Sequence, residues 1–169
     1  MTTDERRRAY YSQPNAARKE LVEKSVFDGF ATSSGLNVTN VRNVKPPFPD
    51  IACDVDGNPC YFELGEITDE ELARDINNSL RKGVDSRGGF FSEEDWLVRI
   101  LQKKTAKSYQ TNGAPVDLIL HYDNQVPFAP SDYMATHQAS VTSAMKPSGP
   151  FSGVWIYDKW SQSVLWNQS

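Results

Sequence analysis

Cysteine and long apolar runs are both scarce in this chain of 169 residues. The two cysteines, Cys53 and Cys60, form no CxxC pair and no Cys/His pattern with zinc-ligand spacing, so we expect reduced, buried thiols. No stretch approaches the roughly 18 apolar residues of a membrane-spanning helix. The first residues, MTTDERRRAYYSQP, are charged and lack the apolar segment of a secretion signal. These absences predict a cytoplasmic protein with no membrane partner.

Several enzyme motifs are missing as well. The chain has no glycine-rich phosphate-binding motif, and Gly88-Gly89 indicates only a turn. Serine, histidine and aspartate are all present, but no nucleophile elbow places a serine on a strand-to-helix turn. The sequence therefore gives no support to a P-loop or dinucleotide site, or to a serine hydrolase triad.

An excess of positive charge is also absent, because the net charge is −4. A domain that holds nucleic acid by charge alone is usually basic, so a tight, metal-free DNA binder is disfavoured. The basic residues lie in clusters, which are either solvated faces or phosphate contacts. These clusters are Arg6-Arg7-Arg8, Arg81-Lys82 and Lys103-Lys104-Lys107.

The length fits one domain over residues 1–169, with residues 1–12 as a loose arm. Apolar periodicity and turn signals predict helices at about 14–32, 68–82, 92–109 and 131–145. Strands are predicted at 36–44, on both sides of Asp56-Gly57, at 116–122 and in a terminal hairpin. This order predicts an α/β fold in which helices flank a mixed central sheet.

The Asp56-Gly57 turn fixes an expected register for the hairpin around it. With a two-residue turn, Asp50 faces Glu63, and directly opposed Cβ atoms lie about 4.5–5.5 Å apart. Two carboxylates this close repel unless one is protonated or a cation lies between them, and Mg²⁺ suits such a pair. A three-residue loop would separate them, and Asp50 as a loop end with Glu63 on an exposed face is the alternative interpretation. Cys53 is expected on the opposite face.

Pro49-Asp50, a gap of twelve residues and then Glu63-Leu64-Gly65, set within the order of elements from 14 to 122, resemble the PD-(D/E)xK nuclease superfamily. The resemblance implies a restriction-endonuclease-like αβββαβ core, here followed by a C-terminal β-hairpin. It also implies that Asp50 and Glu63 are catalytic and hold Mg²⁺ or Mn²⁺. The Leu64 carbonyl and Glu23 of the first helix are the further metal ligands that it suggests.

The sequence departs from the family at Gly65, where the usual lysine is missing. Some relatives supply this lysine from the helix packed beside the site. Lys103 and Lys107, one turn apart before the strand at 116–122, are the candidates for that catalytic role. The alternative is that these lysines only complement the dipole at the end of their helix.

The resemblance implies a metal-dependent nuclease that hydrolyses phosphodiesters in nucleic acid. The alternative is a catalytically inactive protein of the same fold that binds a protein or nucleic-acid partner, which Gly65 favours and the carboxylate pair opposes. A small-ligand binding protein is a third hypothesis, without a motif. The terminal hairpin, with Trp155, Trp160 and Trp166, is either core or the surface of a homodimer.

Overall fold

The structure is a computed structural model that describes residues 14–67, 96–122 and 134–169, with a few isolated positions before residue 14. The helix predicted at 68–82 lies outside the described residues. The loose arm predicted for residues 1–12 lies largely outside them too.

Within the described ranges the chain forms three helices and six strands. The helices are α1 (Asn15–Ser34), α2 (Trp96–Thr105) and α3 (Met134–Ala144). The strands are β1 (Val38–Asn43), β2 (Ile51–Val55), β3 (Asn58–Ile67), β4 (Val116–Tyr122), β5 (Gly153–Asp158) and β6 (Ser163–Gln168).

All six strands join one open sheet in the order β1-β2-β3-β4-β5-β6. Strands β1 to β3 are antiparallel, β3, β4 and β5 are parallel to one another, and β6 returns antiparallel. Parallel neighbours need a crossover, and α2 and α3 lie in the two connections that follow β3 and β4. The predicted α/β fold with a mixed sheet and a terminal hairpin is therefore confirmed at this level.

The hairpin between β2 and β3 has the predicted register. Cys53 pairs with Cys60, and Val55 pairs with Asn58 next to the turn. Asp56 and Gly57 have φ angles of 51° and 79°, as a type I′ turn requires at both central positions. Because register is set at the turn, this local signal fixes which face every β3 side chain takes.

Helix α1 packs its aromatic residues on one sheet face. It begins after Pro14, one residue from the predicted start and without a side-chain capping bond, and Gly35 ends it with φ 73°. The Phe27 and Phe62 rings lie 5.1 Å apart, between their centroids. Buried residues of this cluster are Val26, Phe27, Phe30, Ile51, Cys53, Cys60, Phe62, Leu64, Ile119 and Tyr157.

Helices α2 and α3 cover the opposite face. They bury Leu97, Leu101, Val141 and Ala144 against a second cluster that contains Tyr61, Ile67, Val116, Leu118, Leu120, Val154 and Ile156. The strand at β4 thus has apolar side chains on both faces, as expected of a central parallel strand. None of the helices described here is long and apolar enough to cross a membrane.

The aromatic residues of the terminal hairpin have different environments. Trp155 packs against Phe30, with ring centroids 5.2 Å apart, and its indole N–H donates to Asp117 at 2.8 Å. Trp160, between β5 and β6, is 79% exposed. Trp155 therefore belongs to the core, and a homodimer through this hairpin stays a prediction.

Glycine at position 29 allows α1 to approach the sheet closely. A methyl group at Gly29 would collide with the phenol oxygen of Tyr157. Tyr157 is 1% exposed, so its ring has little room to move away. The helix accepts a residue of poor helix propensity here because the close contact needs the space.

We therefore expect Gly29→Ala to lower the free energy of unfolding by about 1 kcal/mol, since overpacking outweighs the gain in helix propensity. In a Tyr157→Phe background the colliding oxygen is gone, and the nearest ring carbon is 3.3 Å from the new methyl position. There Gly29→Ala should cost less than it does in the wild type. Urea denaturation of the four proteins measures this, and an equal cost in both backgrounds would contradict it.

Candidate functional site

Asp50 is held at the start of β2 by backbone bonds. Strand β2 begins at Ile51, so Asp50 lies one residue before the ladder. Its Oδ2 accepts a hydrogen bond from the Leu64 N–H at 2.9 Å, and its own carbonyl accepts one from the Val44 N–H at 3.0 Å. The Asp50 carboxylate therefore accepts the Leu64 N–H bond that a backbone carbonyl would accept in a regular ladder. This bond fixes the carboxylate beside the peptide between Glu63 and Leu64.

Glu63 is a buried carboxylate in an apolar strand. Its side chain is 3% exposed, and it shares the sheet face of Tyr61 and Ile67, which α2 and α3 cover. An isolated buried charge is strongly disfavoured unless it is paired. The Glu63 Oε1 atom lies 2.7 Å from Lys104 Nζ and 3.3 Å from Lys107 Nζ.

The phenol of Tyr109 lies close enough to both Asp50 and Glu63 for their charges to affect it. Its O–H donates to the Lys104 carbonyl at 3.1 Å. Burial raises the pKa of Tyr109 most, and the negative charges of Glu63 and Asp50 raise it further. Asp50 and Glu63 are thus near the same phenol, although they are not a cross-strand pair of the ladder.

Helix α1 adds a carboxylate and an amine from the other side. Lys19 Nζ lies 3.1 Å from Glu23 Oε1 and 3.8 Å from Asp50 Oδ1. Burial and then the charge of Asp50 raise the pKa of Glu23, against the opposing effect of Lys19. Burial works against the charge on Lys19, but Glu23, Asp50 and Glu63 together raise its pKa.

Most of the residues predicted for the site meet at this end of the sheet. Lys19 joins Glu23 to Asp50, Asp50 accepts a bond from the Leu64 backbone, and Lys107 contacts Glu63 from beyond the end of α2. Lys103 lies on α2 with an exposed side chain. Their catalytic and metal-binding roles stay predictions.

Lys104 was not among the predicted site residues. Its Nζ makes the 2.7 Å contact with Glu63, and its side chain is 13% exposed. The available signal was spacing: Lys104 lies three residues after the buried Leu101 and seven after the buried Leu97, on the inward face of the helix. Selecting Lys103 and Lys107 because they lie one turn apart overlooked the inward face of α2, on which Lys104 lies.

Gly65 lies directly under α2. A Cβ atom at this position would be 3.0 Å from Leu120 Cδ2 and 3.3 Å from two atoms of Ile100. The side chains of Ile100 and Leu120 therefore occupy the space directly above Gly65. Gly65 allows α2 to approach β3, and Lys104 follows Ile100 by one turn.

The oxygen atoms at Asp50, Glu63 and Leu64 are chemically suited to a hard divalent cation. Strand β2 begins at Ile51, which pairs with Phe62, so the ladder between β2 and β3 ends before it reaches Leu64. The N–H of Leu64 points to the Asp50 side, and the carbonyl of a strand residue points the same way. In the part of the chain that the structure describes, no three Asp, Glu, His or Cys side chains form a ready-made cation site.

No protein-family model matches the sequence, and no curated protein or solved structure matches the chain. What the site does has to follow from its own geometry. That geometry contains three carboxylates, Glu23, Asp50 and Glu63, and three ammonium groups, Lys19, Lys104 and Lys107. The formal charges of this set therefore cancel.

We expect Lys104→Met to lower the free energy of unfolding by about 2 kcal/mol, because it removes the closest partner of a buried carboxylate while Lys107 remains. Methionine keeps the helix propensity and the apolar stem of lysine. Lys103→Met, on the exposed face of the same helix, should change stability by less than about 0.5 kcal/mol. Chemical denaturation measures both.

Adding Glu63→Gln to Lys104→Met should recover much of the loss, since an amide does not need the ammonium group. Equal costs for Lys104→Met and Lys103→Met, or no recovery in the double variant, would contradict the importance of the ion pair.

We also expect Gly65→Lys to lower the free energy of unfolding by about 1–3 kcal/mol, because the Cβ atom of the new side chain would crowd the side chains of Ile100 and Leu120. Ile100→Ala in the same chain should relieve part of that cost by opening the space. The control is Ile100→Ala alone, which should destabilise by leaving a cavity. If Gly65→Lys were tolerated in the wild-type background, α2 would not pack on Gly65 as described.

Proposed function

We propose that this protein is a metal-dependent nuclease that hydrolyses phosphodiester bonds in nucleic acid. The observation that carries the proposal is the Lys104–Glu63 contact of 2.7 Å beside the Asp50–Leu64 hydrogen bond. Carboxylates suited to a divalent cation, with a lysine beside one of them, are groups that metal-assisted hydrolysis of a phosphodiester can use. Here the lysine comes from α2 instead of from β3.

The architecture supports a restriction-endonuclease-like core. Helix α1, the antiparallel β1-β2-β3 meander, α2 and the parallel β4 follow one another as in the αβββαβ arrangement of the PD-(D/E)xK superfamily. Pro49-Asp50 lies directly before β2, and Glu63-Leu64-Gly65 lies on the neighbouring strand β3. The family therefore remains part of the proposal, together with its Mg²⁺ or Mn²⁺ requirement.

In this proposal Asp50, Glu63 and the Leu64 carbonyl hold the cation, with Glu23 as the ligand contributed by α1. When bound, such a cation lowers the pKa of a water molecule and neutralises charge on the phosphate. The Leu64 N–H keeps the Asp50 carboxylate oriented, which limits the rearrangement needed at that ligand.

The lysines supply positive charge to the phosphate. Lys104 is fixed by Glu63, so its ammonium group is preorganised where negative charge develops on the phosphoryl oxygens. Lys107 is 49% exposed and lies at the solvent side of Glu63, which suits a contact with the approaching backbone phosphate. The apolar strand around Glu63 excludes water and strengthens these electrostatic contacts.

One observation favours the second candidate, an inactive protein of this fold that binds a protein or nucleic-acid partner. A single oxygen of Glu63 contacts both lysines, so the carboxylate is already neutralised without a cation. A purely structural ion-pair network would have the same appearance. The two candidates differ in what divalent cations do to the protein.

We expect calorimetric titration to detect Mn²⁺ binding by the wild type and its loss in Asp50→Asn and Glu63→Gln. The matched control is Asp28→Asn, which removes a carboxylate of α1 that is paired with Lys24 and exposed. Cleavage of mixed DNA and RNA substrates in Mn²⁺ should fall by at least about 100-fold in the two site variants and stay unchanged in the control.

Lys104→Met separates catalysis from metal binding. It should lower cleavage by about 100-fold while Mn²⁺ affinity stays the same or rises, because a competing cation has left Glu63. The proposal gives the lysine role to Lys104 and Lys107 and not to the exposed Lys103, so Lys103→Met should leave both quantities unchanged and a loss of cleavage would return the role to Lys103. Absence of Mn²⁺ binding and of cleavage in the wild type would reject the nuclease and favour the inactive binding protein.

A further inference from the structure

A recess of about 520 Å³ opens beside the carboxylates, on the α1 side of the sheet. Its walls are the first turns of α1 and the last residues of β3 and β4. These two strands are parallel, and crevices at the carboxyl ends of parallel strands are the usual ligand sites of open α/β sheets. The volume falls in the range of about 300–1,000 Å³ that small-molecule sites occupy.

The recess is continuous with the candidate metal site. Lys19 and Glu23 line the recess; Lys19 also contacts Asp50, and the charge of Asp50 raises the pKa of Glu23. Leu64, whose N–H donates a hydrogen bond to Asp50, forms part of the wall. A ligand in the recess would therefore lie on the α1 side of Asp50, at the strand ends, with the Glu63–Lys104 pair on the opposite face of the sheet. This contiguity argues for a substrate subsite and not for a separate regulatory site.

The lining has a mixed chemical character. Arg18 and Lys19 provide positive charge, and the apolar side chains of Val22 and Leu64 provide a surface without hydrogen-bonding groups. Glu66 and His121, which are register partners on β3 and β4, provide hydrogen-bonding groups. Phosphate, a flat apolar face and a polar edge are the three features of a nucleotide.

We infer that this recess binds one unpaired nucleotide next to the scissile phosphate, with its phosphate at Arg18 and Lys19 and its base between Val22, Leu64 and the Glu66–His121 edge. The inference rests on the proposed nuclease function and adds a substrate class to it. In a duplex the polar base edges pair with each other, so only an unpaired or extruded base presents that edge to a recess of this size. Single-stranded or locally unpaired nucleic acid is therefore the expected substrate.

The test is a binding measurement in EDTA, which keeps it independent of any cation at Asp50 and Glu63. Fluorescence anisotropy compares a short single strand of mixed sequence, as DNA and as RNA, with the same strand in a blunt duplex. The wild type should bind at least one of the single strands about tenfold more tightly than the duplex. With two cations in the recess, the log–log salt slope should be no steeper than about −1.4.

Adjacent residues of α1 offer a matched pair of variants. Val22 lines the recess and is 37% exposed, and Leu21 is 49% exposed and does not line it. Val22→Glu and Leu21→Glu add the same charge to the same helix at positions that tolerate a polar side chain. Val22→Glu should weaken single-strand binding about tenfold, and Leu21→Glu should change it by less than about twofold.

Equal effects of the two substitutions, or no preference of the wild type for single strands, would overturn the inference. Circular dichroism and thermal unfolding of both variants check that they are folded. If single-strand binding behaves as expected but Mn²⁺ produces no cleavage of any substrate, the subsite stands and the hydrolytic function fails. If cleavage occurs and Val22→Glu matches Leu21→Glu, the function stands and the subsite fails.

Discussion

The buried ion pair between Glu63 and Lys104 is the interaction on which the rest of the site depends. A carboxylate that is 3% exposed in an apolar strand needs a partner, and α2 can supply one only if it lies close to β3. Gly65 permits that approach, because Ile100 occupies the space that any larger side chain would need. A buried ion pair is a poor way to gain stability compared with an apolar pair, so this pair supports the proposed chemistry as well as a structural network.

The parts of the fold that were predictable from sequence have strong local signals. Asp56-Gly57 fixes the turn and the register of β2 with β3, and the apolar run of β4 identifies a central strand. The α/β class with a mixed sheet and a terminal hairpin follows from the order of such elements. The start of α1 was predicted to within one residue, because proline is favoured where a helix begins, although no side chain caps the helix there.

The site was predictable only as far as the strand register extends. Register placed Asp50 and Glu63 on one face, but β2 begins at Ile51, and Asp50 turns its carboxylate to a backbone N–H of β3 instead of continuing the ladder. To predict Lys104 as a site residue, one would need to know that the face of α2 with Leu97 and Leu101 packs against the part of β3 that carries Glu63. That is a tertiary contact across 41 positions of sequence, which no local pattern encodes.

The net charge of −4 gives little information about what approaches this site. Exposed charges farther apart than about 10 Å are largely screened at moderate ionic strength, so a phosphate responds mainly to the groups at the opening. Those groups include Lys107, Arg18 and Lys19, and each of the two lysines lies within 4 Å of a carboxylate. Under the proposed function, nucleic acid would exchange contacts with these ion pairs in order to bind. Such a site favours weak, short-range binding, and it makes the shape of the recess beside Asp50 more decisive for substrate choice than long-range attraction.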